Sequence, residues 1–363
     1  MKSLAEYNAG GELGLRDRRS TWRRSIWRVW IGALAACGAL LAAESPAEEA
    51  PFEALSLELL ANEIGFDDGE VREILAGGFV TQKMQEHTGR ELALLMASLV
   101  QVSVPELYAD TLGGVVFEVD RTVEAVGQIE DPEHPEASLA ALELPAEEIE
   151  RLRNVEAGSE FNLSRHEIAA IRSVAVAGSD TDVLAAYRAA LAARVRAYRE
   201  GGIPTIAPYA RGGGRVASPT ADLEAALEKD QGIRNHAPNF YLALTRYPEV
   251  QPGGLDQRFF WLVQQIQNRP TVILTHRISG MHHGMAMLSE RHFFVGQSYN
   301  TLQTLTIAIP VSEGTAIFYV NRTSTDQVDR GFATAAAKRM GRGMLEKQVK
   351  ARFETSRAHA EAQ

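Results

Sequence analysis

The clearest pattern of hydrophobic and polar positions lies in the last third of the chain. Four segments there are rich in Val, Ile, Thr, Phe and Tyr and are separated by short turns, many of which contain glycine: Thr271–Ile278, Met285–Val295, Tyr299–Ile309 and Thr315–Val320. Because short turns can join only antiparallel neighbours, this pattern predicts an antiparallel meander. An apolar stripe at helical spacing then predicts a long helix over residues 331–356.

The middle and the beginning of the chain show other patterns. Residues 146–268 are predicted to be mainly helical, and Asp182–Glu200 is the clearest helix because strong helix formers fill it and its apolar residues recur at helical spacing. In residues 52–145, the apolar run Leu92–Val104 ends in alternation, which favours a strand, and a short helix follows. The acidic stretch 118–150 contains prolines and is expected to be an exposed loop. The predicted class is therefore α+β.

The N-terminus has the layout of an export signal. The basic stretch Arg16–Arg28 precedes the apolar run Val29–Ala43, which is shorter than the roughly 20 residues of a membrane span. A polar segment follows, and cleavage is expected after Ala43 or Ala47. We therefore predict that residues 1–43 direct the protein to the periplasm; the alternative is a buried N-terminal helix.

Two details of this segment bear on the single cysteine. Leu34–Cys37 resembles a lipobox, which would anchor the protein to a membrane through a lipid on Cys37, and Arg23–Arg28 loosely resembles a twin-arginine signal. In either case the cysteine leaves with the signal or becomes the anchor. The folded part then has no thiol, which excludes a disulfide, a cysteine-based zinc or iron–sulfur site and a cysteine nucleophile.

Composition and charge narrow the class of partner. Of the 363 residues 45% are hydrophobic, which is typical of a globular chain, and the formal net charge is −10. Removal of residues 1–43, with seven basic and three acidic residues, would deepen that charge to −14. Nucleic acid is therefore excluded as the main partner, since binding to phosphates needs a basic face.

The order of the predicted elements resembles the helix-grip fold of the START-like (SRPBCC-type) superfamily of hydrophobic-ligand carriers and cyclases. ELALLMASLVQVSVPELYADTL would supply an early strand and a small helix, and GFATAAAKRMGRGMLEKQVKARFE the closing helix. In that fold these elements and an antiparallel sheet enclose an apolar cavity. The resemblance implies a helix-grip domain built from residues 52–145 and 269–358, with residues 146–268 as a helical insertion.

The chain also resembles a family of exported bacterial proteins over most of residues 70–355. The stretches that carry this resemblance are LPAEEIERLRNVEAG, AYREGG with PYAR, FFW with RP and LTHR, and YVNRTSTDQV. This second resemblance implies export but no particular activity.

Four residues are candidate ligand contacts. By alternation His276 shares a strand face with apolar residues, so it either packs in the core or, if that face lines a cavity, provides a polar contact or a general base. Tyr299 and Tyr319 either pack or offer hydroxyl groups to a ligand. Arg322 either forms a structural ion pair with Asp326 or holds an anionic head group.

A histidine- and methionine-rich tract, Met281–Met287, contains residue types that suit copper, especially Cu(I). The alternative is an exposed turn, and we predict no metal or other cofactor; His282 and His283 are the candidate ligands if the tract does bind copper. The chain contains no Gly-x-Ser-x-Gly elbow, no HExxH motif, and no Rossmann or Walker motif.

These features predict a periplasmic carrier for a hydrophobic small molecule or lipid. One alternative is an envelope protein that has a protein partner and no small-molecule ligand. Another is a cyclase, isomerase or hydrolase on the same scaffold, in which His276 and Arg322 would take part in the reaction.

Overall fold

The computed structural model describes residues 57, 65–158, 160–228, 234, 237–328 and 334–362. The predicted export signal and Cys37 lie outside these residues, as do the first three residues of the predicted C-terminal helix. Within the described ranges, no helix combines the length and the apolar character needed to cross a bilayer.

Most strands belong to one antiparallel sheet. In chain order the strands are β1 (Val80–Lys83), β2 (Glu91–Val100), β3 (Val123–Gln128), β4 (Tyr209–Ala210), β5 (Val216–Ala217), β6 (Leu255–Ile266), β7 (Arg269–His282), β8 (Met285–Val295), β9 (Thr301–Val311) and β10 (Gly314–Ser324). Strands β4 and β5 form a separate ribbon, and the other eight lie in the spatial order β1-β2-β10-β9-β8-β7-β6-β3. The predicted meander is therefore confirmed as β7 to β10, and it is part of a larger sheet.

One helix precedes the first strand, others fill the two long connections, and the last follows the final strand. They are α1 (Asp68–Leu75), α2 (Val104–Gly113), α3 (Val115–Val119), α4 (Glu136–Leu139), α5 (Ala146–Arg153), α6 (Arg165–Ala175), α7 (Asp180–Gly201), α8 (Pro219–Leu227), α9 (Pro238–Thr245) and α10 (Thr334–Ala360). Capping boxes begin α6 at Ser164 and α7 at Ser179. Helix α7 ends at Gly202, which has φ +66° and lies so close to the Tyr247 carbonyl that a Cβ would collide with it.

Different helices cover the two faces of the sheet. On one face, called here the insertion face, α7 places Tyr198 parallel to Phe293 of β8 with ring centroids 4.2 Å apart. On the opposite face, called here the α10 face, Val104 of α2, Phe117 of α3 and Val349 of α10 each pack in a separate small apolar cluster with residues of the sheet. The main hydrophobic core lies on the insertion face. The α10 face has only these three smaller apolar clusters among the described residues.

Two stretches differ from the expectations. Within residues 118–150, expected to be a loop, the structure has β3 and α4. Strand β3 is a half-buried edge strand, so its alternation is faint, and its Gly127 lies directly against the indole of Trp261. Strand β6 falls inside the predicted helical insertion, because Phe259–Val263 is buried on both faces and a continuous apolar run does not separate strand from helix.

Candidate functional site

A cavity of about 180 Å³ lies between the α10 face of the sheet and the helices α2, α3 and α10. Its apolar lining comes from β2, β10, β9 and β8 and from helix side chains, including Val100, Leu107, Ala286, Ala308, Ile317 and Phe353. Its polar lining includes Arg277, Glu290, Thr304, Thr306, Tyr319 and Arg352. The cavity therefore contains ionisable groups inside a largely apolar wall.

The register of the sheet separates the polar lining from the apolar lining. Arg277, Glu290, Thr304 and Asn321 lie side by side in one row across β7, β8, β9 and β10. A second row crosses the same four strands four residues further along β7. It consists of Met281, Ala286, Ala308 and Ile317 and is apolar. The row between them is mixed and contains Ser279, Leu288, Thr306 and Tyr319. The α10 face thus changes from charged to apolar along the strand direction.

Glu290 is at the centre of the charged row. Its Oε1 lies 2.7 Å from Nε2 of His292, and its Oε2 lies 3.7 Å from Nε of Arg277. Burial alone would raise the pKa of Glu290, but the hydrogen bond from His292 and the positive charges of Arg352 and Arg277 outweigh burial and lower the pKa to about 2. Glu290 is therefore a carboxylate at neutral pH.

His292 links this carboxylate to a tyrosine. Its Nδ1 lies 2.7 Å from the hydroxyl of Tyr299. Because ionised Glu290 can only accept, Nε2 of His292 carries the proton, and in a neutral ring Nδ1 then accepts from the Tyr299 hydroxyl. Burial, together with the Glu290 charge, raises the pKa of Tyr299, which keeps the phenol protonated. The result is a buried chain of hydrogen bonds from Tyr299 through His292 to Glu290.

Two guanidinium groups stand beside this chain. Arg277 lies over the ring of Phe117 at 4.9 Å, and burial lowers its pKa to about 10, so it remains protonated at neutral pH. Arg352 enters from α10, and its Nε lies 3.4 Å from Oδ2 of Asp120. Burial works against the charge of Arg352, but Glu290, Tyr319 and Asp120 together raise its pKa. Both arginines are therefore cations inside the cavity wall.

The structure separates the four candidate ligand contacts. Tyr319 lines the cavity, and its hydroxyl accepts a hydrogen bond of 3.0 Å from Nδ2 of Asn321. Tyr299 reaches the same polar cluster through His292. His276 lies on the insertion face, where its Nδ1 is 3.1 Å from the hydroxyl of Tyr198 and its ring is stacked on Phe259 at 4.3 Å.

Arg322 also lies away from the cavity lining. Its Nη1 donates to Oε1 of Glu91 at 2.7 Å and to the carbonyl of Gln85 at 3.3 Å. Asp326, the expected partner of Arg322, accepts a hydrogen bond of 2.9 Å from Nε of Arg211. These contacts join β10 to β2 and the sheet to the helical insertion, which is a structural role.

The charged residues of the cavity were not singled out from the sequence. Arg277 follows His276 on β7, and His292 follows Arg291 on β8. Because side chains alternate along a strand, Arg277 lies on the opposite face from His276, and His292 on the opposite face from Arg291. One signal was present: in the antiparallel meander, Arg277 and Glu290 are opposite each other across the β7–β8 turn. Arg352 carries no such signal, since only the packing of α10 brings it to the sheet.

The histidine- and methionine-rich tract forms the turn between β7 and β8. His282 and His283 have ring centroids 4.1 Å apart, and burial together with the neighbouring His283 lowers the pKa of His282. In the part of the chain that the structure describes, no three His, Cys, Asp or Glu side chains come together as a metal site.

The cavity and its charged row are the candidate site. No protein-family model, curated protein or solved structure matches the chain.

Proposed function

We propose that the protein is a periplasmic carrier that binds a hydrophobic small molecule or lipid in the cavity beneath α10. The observation that carries this proposal is a cavity between the sheet and a long helix with a wall that is mostly apolar. Export rests on the basic and apolar pattern of residues 1–43, outside the described residues.

The order of elements supports a helix-grip domain. Along the chain, strand β2 is followed by the small helices α2 and α3, and α10 follows the last strand. In space, the strands lie side by side in the order β2-β10-β9-β8-β7-β6-β3. Helices α4 to α9 are inserted between β3 and β6. This order supports the START-like resemblance, which implies that the sheet and the closing helix surround a ligand.

The volume limits the size of the ligand. A dry cavity of roughly 150 Å³ holds one benzene molecule, so about 180 Å³ suits a ligand with on the order of ten non-hydrogen atoms. A compact ring or short-chain compound is therefore the ligand that fits this volume, and a longer lipid would extend beyond it.

The test combines extraction with a variant that fills the cavity. Protein purified from its native host is extracted with organic solvent and analysed by mass spectrometry, and binding of the extracted compound is measured by calorimetry. Ala308→Phe places a ring in the apolar end of the cavity and should weaken binding at least tenfold. Met340→Phe, on the exposed side of α10 where Met340 is 70% exposed, is the matched control and should bind as the wild type does.

Circular dichroism and thermal melting check that each variant is folded, and Ala286→Leu replaces Ala308→Phe if the latter does not fold. An empty extract, or unchanged binding by a folded cavity-filling variant, would overturn the carrier proposal.

The hydrogen-bonded chain of Glu290, His292 and Tyr299 is the one feature that favours an enzyme instead. A general base works best when its pKa lies near the working pH, and the pKa of Glu290, at about 2, makes this carboxylate a weak base. His276 and Arg322, the residues expected to react, do not line the cavity. The chain of hydrogen bonds therefore supports binding better than proton transfer.

A further inference from the structure

We propose that the ligand carries an uncharged hydrogen-bond acceptor, such as a ketone or ester carbonyl, that lies against Arg352 and Tyr319, while its apolar part lies against Ala308 and Ile317. This inference rests on the proposed function, because it names the class of molecule that the cavity would hold.

The cavity wall offers hydrogen-bond donors. Among the described residues Nε of Arg352 has no hydrogen-bond partner, and its ionic contact with Asp120 is 3.4 Å long. Charge-assisted hydrogen bonds between guanidinium and carboxylate groups are usually about 2.7–2.9 Å long. The Tyr319 hydroxyl already accepts from Asn321, so its hydrogen is available to donate. A ligand acceptor would satisfy both groups.

The formal charges at the cavity are balanced. Arg277, Arg352 and Glu290 line its polar end and Asp120 pairs with Arg352, so these four charges sum to zero. The other acidic and basic side chains of the lining, Asp110 and Arg357, also cancel. An anionic head group would leave one uncompensated negative charge in a buried site, and a cationic one would face two guanidinium groups. A carbonyl oxygen accepts hydrogen bonds without adding a charge, so it leaves the formal charges around the cavity balanced.

Two acceptors at this end already receive hydrogen bonds from the protein. Glu290 accepts from His292 at 2.7 Å, and Thr304 Oγ1 accepts from the backbone N–H of Glu290 at 3.2 Å. A ligand whose head group only donates would have to share these acceptors with the protein, whereas Nε of Arg352 has no acceptor among the described residues. The wall therefore selects an acceptor at the charged row and apolar groups at the row of Ala286, Ala308 and Ile317.

The experiment compares four phenyl compounds that have the same number of non-hydrogen atoms and differ in the head group: acetophenone, cumene, benzoate and 1-phenylethylamine. Dissociation constants are measured at pH 7 by calorimetry on the wild-type protein. Acetophenone should bind most tightly, at least fivefold tighter than cumene and benzoate and at least tenfold tighter than the amine.

A variant then assigns this preference to one side chain. Arg352→Met keeps an unbranched side chain as far as the ε position and removes the donors, so the preference for acetophenone over cumene should fall to twofold or less while cumene binding stays the same. Arg339→Met, at an exposed position of the same helix, should keep the full preference. If Arg352→Met does not fold, Tyr319→Phe removes the other donor and should reduce the preference at least twofold.

The outcomes separate the two proposals. Equal binding of all four compounds would overturn the acceptor inference and leave the carrier proposal standing. Benzoate binding more tightly than acetophenone would replace it with an anion site. If none of the four binds and solvent extraction yields no compound, both proposals are wrong.

Discussion

The two faces of the sheet carry the same pair of residue types in very different surroundings. On the insertion face, His276 of β7 and Arg291 of β8 meet at the hydroxyl of Tyr198. On the α10 face, the next residue on each strand, Arg277 and His292, meets at the carboxylate of Glu290. One face is filled by the core, and the other borders a cavity.

The difference comes from the residues that surround each pair. On the insertion face, aromatic rings of Tyr198, Tyr247, Phe259 and Phe293 fill the space around His276. On the α10 face, the short side chains of Thr304, Thr306 and Ala308 line the cavity. The arginine on the insertion face is therefore enclosed by core side chains, whereas Arg277 on the α10 face borders the cavity as well as the ring of Phe117.

Replacing Arg291 should have the largest effect on stability. All three guanidinium nitrogens donate, to Gln303 Oε1 at 2.9 Å, to the Tyr198 hydroxyl at 2.9 Å and to the Leu244 carbonyl at 2.7 Å. Arg291→Met leaves these buried groups without that donor and should lower the free energy of unfolding by about 4 kcal/mol. Urea unfolding followed by circular dichroism measures the loss, with Arg339→Met as the exposed control. A loss below about 1 kcal/mol would show that Arg291 does not hold this face together.

Replacing Glu290 should have the next largest effect, and the effect should depend on pH. The folded pKa of about 2 lies below the ordinary value of 4.5, so the stabilisation is complete above about pH 4.5 and is lost as the pH falls towards 2. At pH 7, Glu290→Gln should cost roughly 3 kcal/mol, from about 1.4 kcal/mol for each pKa unit. Urea unfolding at pH 7, 5, 4 and 3 should show the wild type approaching the variant as the pH falls. A difference that stays constant with pH would contradict the ionised, paired state of Glu290.

His292→Phe should have a smaller effect than either. It removes the link between Glu290 and Tyr299 but keeps the ring, and it should cost about 2 kcal/mol at pH 7 through the two lost hydrogen bonds. The loss should be smaller in a Glu290→Gln background, because the charge-assisted part of the interaction is already absent. A double-mutant cycle by urea unfolding measures this coupling, and strictly additive losses would refute it.

The comparison of the two faces also shows how far the sequence could lead. Period-two and helical patterns predicted β7 to β10, α7 and α10, because each of these elements is long enough for its hydrophobic period to be visible in the sequence. Alternation placed His276 and Arg277 on opposite faces, but which face borders a cavity depends on how α7, α9 and α10 pack. That packing joins residues far apart along the chain, such as Tyr198 with His276 and Arg352 with Asp120, and no local pattern reports it.

His276→Phe should have the smallest effect at neutral pH, and it gives the sharpest contrast with His292. Nε2 of His276 has no hydrogen-bond partner among the described residues, and the ring already lies among aromatic side chains. A phenyl ring therefore loses only the hydrogen bond with the Tyr198 hydroxyl and should lower the free energy of unfolding by about 1 kcal/mol at pH 8.

The same variant tests the protonation of His276. Burial and the charge of Arg291 lower the pKa of His276 well below 6.5, so the folded protein does not take up the proton that the unfolded chain binds. The wild type should therefore lose stability as the pH falls below 6.5, and His276→Phe should not lose that part. Wild type and variant are compared by urea unfolding at pH 8, 6.5 and 5. Parallel loss in both proteins would mean that His276 takes up a proton in the folded state, and the filled insertion face would then have to admit a charge that its aromatic rings cannot solvate.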